Sequence, residues 1–137
     1  MTMVGLTQGA GWEIGVSGTV RHPVEQVWEL LVSPRGLRLW LGVTELGTSR
    51  GDRYESADGT VGEVRSFRPH DRMRITWRPA GWDHDSTVQV ALSSRGEGRT
   101  VLRFHQERLA DEAERVRQRD HWRAVLARIV DALDQDH

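Results

Sequence analysis

The sequence predicts an α+β domain in which an antiparallel sheet, apolar on one face and wet on the other, is covered by a long C-terminal helix. Three observations predict it. Short segments between Val43 and Glu107 alternate apolar and polar residues between glycine-bearing turns, which is the period of a half-buried strand. A stretch ending at Leu133 switches to spacings of three, four and seven, the period of one helix face. Between the first alternating segment and the others lie two short runs that also carry helical spacing and helix-start residues.

The elements follow in order. In "WEIGVSGTV", Trp12, Ile14, Val16, Gly18 and Val20 share one side and predict a first strand. "HPVEQVWELLVSP" then changes period: Pro23 suits a first helical position, and Val24, Val27, Trp28 and Leu31 recur on one face. Ser33 and Pro34 repeat the start signal for a second short helix, with Leu37, Trp40 and Leu41 on its apolar side. Gly36 weakens that helix, because glycine gives up the most backbone freedom on folding.

From Val43 to Glu107 the chain reads as antiparallel strands. Gly47 to Asp52 is a loop, "SADGT" carries the Asp-Gly hairpin signal, and "SSRGEGRT" is a further turn. In "RMRITWR", Met73, Ile75 and Trp77 are apolar between polar neighbours. In "TVQVAL", Val88, Val90 and Leu92 share a face, and in "TVLRFHQE", Thr100, Leu102, Phe104 and Gln106 oppose Val101, Arg103, His105 and Glu107. The final helix runs from about Asp111 to Leu133. Asp111 with Glu114 has the form of a capping box, and Trp122, Val125, Leu126, Ile129, Val130 and Leu133 make the stripe that docks on the sheet. Its first two turns are charged and lie near an opening.

Composition removes several functions. The 137 residues carry 19 basic and 20 acidic side chains, a net charge of −1, so no overall field attracts nucleic acid or an anionic membrane surface. With no cysteine there is no disulfide framework and no thiolate metal site. The N-terminus lacks the basic-then-apolar pattern of a signal peptide, and no apolar run approaches the ~20 residues that span a bilayer. The expectation is one domain over residues 1–137, cytoplasmic, monomer or homodimer, without cofactor or metal. Six tryptophans stand beside two phenylalanines and one tyrosine. They are spread over the whole chain, so any common site they form is made by folding.

The order of elements and three motifs carry a family resemblance. "HPVEQVWELLVSPRGLRLWLG", "GDRY…GTVGEVRSFRPHDRMRITW" and "DHWRAVLARIVDAL" resemble, in order, the opening, centre and closing helix of homologues of the heat-shock protein 90 ATPase activator. That is a branch of the START-like, or SRPBCC, superfamily. The resemblance covers nearly the whole chain and implies the helix-grip (Bet v-like) fold: one strand, two short helices, a six-stranded antiparallel run and a long helix gripped by a curved sheet around an internal cavity. The sequence departs from those relatives at His121, where many have glycine, and at Gln106, where many have histidine.

The expected site is that cavity, lined on the sheet's apolar parity by Val64, Met73, Ile75, Trp77, Val90 and Leu92. Leu102, Phe104 and Gln106 from the last strand complete it, with Trp40 from the short helix and Trp122 from the long one. Apolar walls with a few polar groups suit a hydrophobic or aromatic small molecule, and that partner is the first functional reading. The alternatives are a cyclase- or hydrolase-type enzyme using His121 or Gln106 on an aromatic or polyketide-like substrate, and a co-chaperone-like interaction module. Trp77 is sheet core or cavity wall, and Trp82 either gates the mouth or covers the core edge. Gln106 is either a polar contact for a ligand or the partner of a tryptophan N–H, since an amide at a buried position needs a partner. Adjacent residues on a strand diverge, so Asp83, His84 and Asp85 do not converge on one metal. No nucleophile elbow, phosphate loop or His-Glu-x-x-His helix is present. Arg115, Arg117 and Arg119 read as a solvated helix surface, and His105 as a surface histidine.

Overall fold

The computed structural model describes residues 6–7 and 11–135. The chain runs β1 (Leu6–Thr7), β2 (Gly11–Val20), α1 (Val24–Val32), α2 (Pro34–Trp40), β3 (Arg53–Glu55), β4 (Val61–Arg68), β5 (Arg72–Trp77), β6 (Ser86–Ser94), β7 (Thr100–Leu109) and α3 (Glu112–Gln135). The strands form one sheet in the order β1-β2-β7-β6-β5-β4-β3, and every named pairing is antiparallel. This is the helix-grip arrangement.

Alternation fixes the register. One row across the sheet sets Val16 beside Phe104, Phe104 beside Val90 and Val90 beside Met73. The next sets Ile14 beside Gln106, Gln106 beside Val88 and Val88 beside Ile75. All of these side chains are buried in a single core, which α3 completes with Trp122, Val125, Ile129 and Leu133. A slip of one residue would turn the whole set to solvent, so burial itself holds the pairing. At the other end Trp28 of α1 meets Phe67 of β4 edge-on, centroids 5.4 Å apart.

Four details differ from the sequence reading. A short β1 pairs with the start of β2 through Leu6↔Trp12 and Thr7↔Gly11. Five strands, not six, follow the helices, because Val43 to Leu46 forms no strand ahead of the expected Gly47 to Asp52 loop. That loop holds Gly47, Gly51 and a turn in which the Asp52 carboxylate accepts from the Ser49 N–H at 3.0 Å, and such local bonds compete with a ladder. Pro23 is the N-cap, extended at ψ 159, and Val24 starts the helix. Gly36 is not merely a weak point: a Cβ there would lie 1.7 Å from the Leu30 carbonyl oxygen, so its missing side chain is what lets α2 fold back over the end of α1.

The start of α2 follows expectation, with Ser33 Oγ accepting from the Gly36 N–H at 3.1 Å. At α3 the Asp111 carboxylate accepts from the Glu114 N–H at 2.8 Å. Glu114 reaches back to the Ala110 N–H at 3.0 Å, one residue earlier than the capping-box pattern places it.

Candidate functional site

The segment after β5 builds the site. Trp77 is the last residue of β5. The Pro79-Ala80-Gly81 turn, with Gly81 at φ +90, returns the chain so that the Trp82 N–H donates to the Pro79 carbonyl at 3.1 Å. Arg78 Nε closes the turn by donating to the Trp82 carbonyl at 2.9 Å. Trp82 therefore stands against Trp77, centroids 5.5 Å apart and planes at 88°, an edge-to-face pair. His84 then stacks on Trp82 at 4.7 Å and 14°.

The long helix supplies the second half. His121 and Trp122 sit 5.9 Å and 6.0 Å from the Trp77 ring, and Trp122 stacks on Phe104 at 5.0 Å and 18°. Rings from β5, its turn, α3 and β7 thus form one continuous aromatic cluster centred on Trp77, which meets its neighbours edge-on or tilted. Phe104 and Trp122 are fully buried and Trp77 is 7% exposed, whereas Trp82 is half-buried and His121 exposed.

Gln106 is the polar centre beneath the cluster. It is fully buried between Ile14 and Val88. Its Oε1 accepts from the Trp122 indole N–H at 2.8 Å. Its Nε2 donates to Ser86 Oγ at 2.9 Å, and the Ser86 hydroxyl donates to the Trp77 carbonyl at 2.6 Å. Of the two roles open to Gln106 from sequence, this geometry gives it the tryptophan partner. Trp40 spends its indole N–H on the Leu31 carbonyl at 2.9 Å, which ties α2 to α1. The remaining expected wall residues, Val64, Met73, Ile75, Val90, Leu92 and Leu102, all lie in the same core.

The Asp-His-Asp triplet diverges. His84 Nε2 lies 2.8 Å from Glu114 Oε1 and its Nδ1 3.0 Å from Asp83 Oδ1, while Asp85 lines a separate groove with Tyr54 and Thr76. Burial pulls the His84 pKa down, but the two carboxylate hydrogen bonds and their charges outweigh it, and the value is raised overall. Sequence reasoning missed this pair; Glu114 was legible only as a cap. The His121 imidazole is lowered, first by desolvation against the rings and then by the Arg128 cation, with Asp58 opposing. On the wet face Glu13, His105 and Glu107 bring ligand atoms within 4.8 Å of one another. There Glu107 is engaged by Arg74 at 2.7 Å and His105 lies 3.4 Å from Glu13, a cross-strand ionic cluster.

The raised His84 value gives a pH prediction. A folded-state pKa above the unfolded one means that the stabilisation is fully present below the unfolded value, about 6.5, and is lost as pH rises through the folded one. The His84–Glu114 link, which pins the β5–β6 connection to α3, therefore weakens as pH rises from about 6.5 through the raised folded value. The melting temperature of the protein is expected to fall over that window more than that of His84→Gln. Equal slopes for the two would remove the link from the pH response.

A helix-grip core with an aromatic stack between sheet and long helix places the chain among the START-like proteins. Within them, the family model described as Activator of Hsp90 ATPase homolog 1-like protein matches residues 21–134, and the chain belongs to that family. Solved structures share the fold. CalU16 from Micromonospora echinospora has a TM-score of 0.76 at 20% identity, covering 95% of this chain and 87% of that one. DynU16, a protein in the dynemicin biosynthetic locus, has 0.75 at 24%, covering 89% of this chain, which spans only 47% of DynU16. The Aha1 dimer from Colwellia psychrerythraea has 0.69 at 16%, covering 88% and 95%. Among curated proteins none matches the sequence significantly.

Proposed function

We propose that the protein binds an apolar, aromatic small molecule at the Trp77 cluster and does so without catalysis. The observation that carries this reading is the convergence of Trp82, His121 and Trp122 on one ring, Trp77. The two outer members keep accessible surface. A flat apolar ligand gains both ring contact and buried area at such a place. Phe104 and Trp122 already stack on each other, so the guest inserts from the Trp82 and His121 side and packs against Trp82. The deeper wall of Trp40, Val64, Met73, Ile75, Val90 and Leu102 backs the site, with Gln106 holding Trp122 in place. Binding is favoured over catalysis because Gln106, one of the two catalytic candidates, is already occupied, and His121, the other, has the Trp77 and Trp122 rings as neighbours and, among the described residues, no carboxylate bonded to it. His84 is held between two carboxylates, and the Gln106 amide is committed to Trp122 and Ser86.

Titration with fused-ring aromatics, followed by tryptophan fluorescence and thermal melting, tests the proposal. Saturation at a hundredfold excess over Kd adds about 2.7 kcal/mol to stability, so the melting temperature rises as fluorescence is quenched. Trp82→Ala, at a half-buried position, is expected to weaken binding while leaving the unliganded melting temperature nearly unchanged. A series that reaches its solubility limit without quenching or stabilisation overturns the reading.

A further inference from the structure

Among the described residues two buried side-chain atoms lack a hydrogen bond, Gln118 Oε1 and Arg119 Nε, both on α3. The first of them lies at the aromatic site. A buried carbonyl oxygen ordinarily has a donor, because water solvates it in the unfolded chain and burial without a partner forfeits that bond. The Gln106 amide shows the rule, with Oε1 accepting from the Trp122 indole and Nε2 donating to Ser86. Gln118 Oε1 departs from it.

Helix geometry places this oxygen. Residues four apart stand one turn above another on the same face, so Gln118 lies between Glu114 and Trp122. Val116 and Arg117, just before it, are exposed, whereas Gln118 is half-buried. Both of its helical neighbours belong to the aromatic site. Glu114 is buried and bonds His84, which stacks on Trp82. Trp122 is fully buried and lies 6.0 Å from Trp77, and Trp77 meets Trp82 edge-on. The contacts from Glu114 through His84, Trp82 and Trp77 to Trp122 therefore close a ring of side chains against α3. Gln118 stands at the middle of its helical side, with its oxygen turned from solvent.

We propose that the aromatic guest of this site is a hydroxyarene, whose phenolic O–H donates to Gln118 Oε1 while its rings pack on Trp77 and Trp82. The inference rests on the binding reading above and supplies the polar half of the ligand. Ring contacts alone accept any flat arene, since every aromatic offers a face and an edge. A buried acceptor discriminates further, because a ligand without a donor leaves it unpaired. Gln118 is thus the specificity-determining residue. An arene that carries only an ether oxygen gains nothing from it, since two acceptors then face each other.

Calorimetric titration of the full chain with naphthalene, 2-naphthol and 2-methoxynaphthalene tests the proposal, because the methyl ether accepts a hydrogen bond but cannot donate one. The Kd of 2-naphthol is expected about tenfold below that of naphthalene, the usual yield of a buried acceptor gaining its donor. The ether is expected to show no such advantage. Gln118→Leu removes the acceptor and is expected to bring 2-naphthol to the level of naphthalene, with naphthalene binding unchanged. Its melting temperature is expected at or above the parent's, since an unpaired oxygen leaves the interior. Equal affinity for 2-naphthol and its ether overturns the proposal while the aromatic site stands, and this comparison uses the parent protein, so it decides the matter even should the variant not fold. A 2-naphthol preference that survives Gln118→Leu moves the contact to another group, such as His121, and also overturns it. A protein that binds none of the three overturns the aromatic site itself, and this inference with it.

Discussion

Trp122→Ala is expected to lower stability by about 3–5 kcal/mol, the usual cost of emptying a large aromatic site in a core. In a chain whose total stability is roughly 5–15 kcal/mol, that moves the melting temperature down on the order of 10–20 °C. Two separable losses add up. The side chain is fully buried and stacks on Phe104 with centroids 5.0 Å apart, so its removal leaves a cavity between helix and sheet. Its indole N–H is also the donor to Gln106 Oε1 at 2.8 Å, and an amide oxygen stranded among Ile14 and Val88 has no water to turn to. Trp122→Phe isolates the second loss. It keeps most of the ring and is expected to cost about 1–3 kcal/mol, the penalty for a buried acceptor left without its donor. Adding Gln106→Leu to Trp122→Phe removes the stranded acceptor and is expected to recover part of that loss. Denaturant unfolding of the variants measures all three values; a Trp122→Phe protein as stable as the parent would show that the hydrogen bond contributes nothing net.

Gly36→Ala is expected to lower stability by about 3 kcal/mol, at the upper end of what overpacking costs. Helix propensity alone predicts the opposite sign, since alanine is favoured over glycine within a helix by about 1 kcal/mol. Geometry decides between them. The added methyl would stand 1.7 Å from the Leu30 carbonyl oxygen and 2.6 Å from its carbonyl carbon. Both are backbone atoms, which cannot swing aside as a side-chain end can. The junction is also bonded: Ser33 Oγ donates to the Leu30 carbonyl at 2.6 Å and accepts from the Gly36 N–H at 3.1 Å. Relief of the clash moves α2 off α1 and breaks these bonds. It also disturbs Trp40, whose indole N–H reaches the Leu31 carbonyl. Thermal unfolding that shows Gly36→Ala equal to or above the parent would mean that propensity wins and the helix pair is looser than this geometry.

The strands were legible because a half-buried strand writes its burial into every second residue. Met73, Ile75, Trp77, Val88, Val90, Leu92, Leu102, Phe104 and Gln106 were assigned to one face from alternation alone, and all are buried. The α3 stripe was legible for the same reason at helical period. The caps at Ser33 and Asp111 were legible because a cap is a contact between residues three apart. Where the reading failed, local pattern had less to offer. Val43 was counted into a strand although the following turn bonds to itself, and β1 is a pairing of two residues, too short to show a period.

The sequence by itself determined the α+β class, the parity of the sheet, the docking face of the long helix and the family resemblance. These follow from periodicity and from contacts between near neighbours in the chain. Only the tertiary structure decided what the polar and glycine residues do. Gln106 meets Ser86 and Trp122 across 20 and 16 residues, His84 meets Glu114 across 30, and Gly36 meets the backbone of an earlier helix. A buried polar group takes whichever partner the fold brings within 3 Å or so. A glycine is required wherever two backbones come too close for a Cβ. Neither condition leaves a repeating mark in sequence, because the partner lies on another element and is chosen by the packing of the whole sheet against the helix.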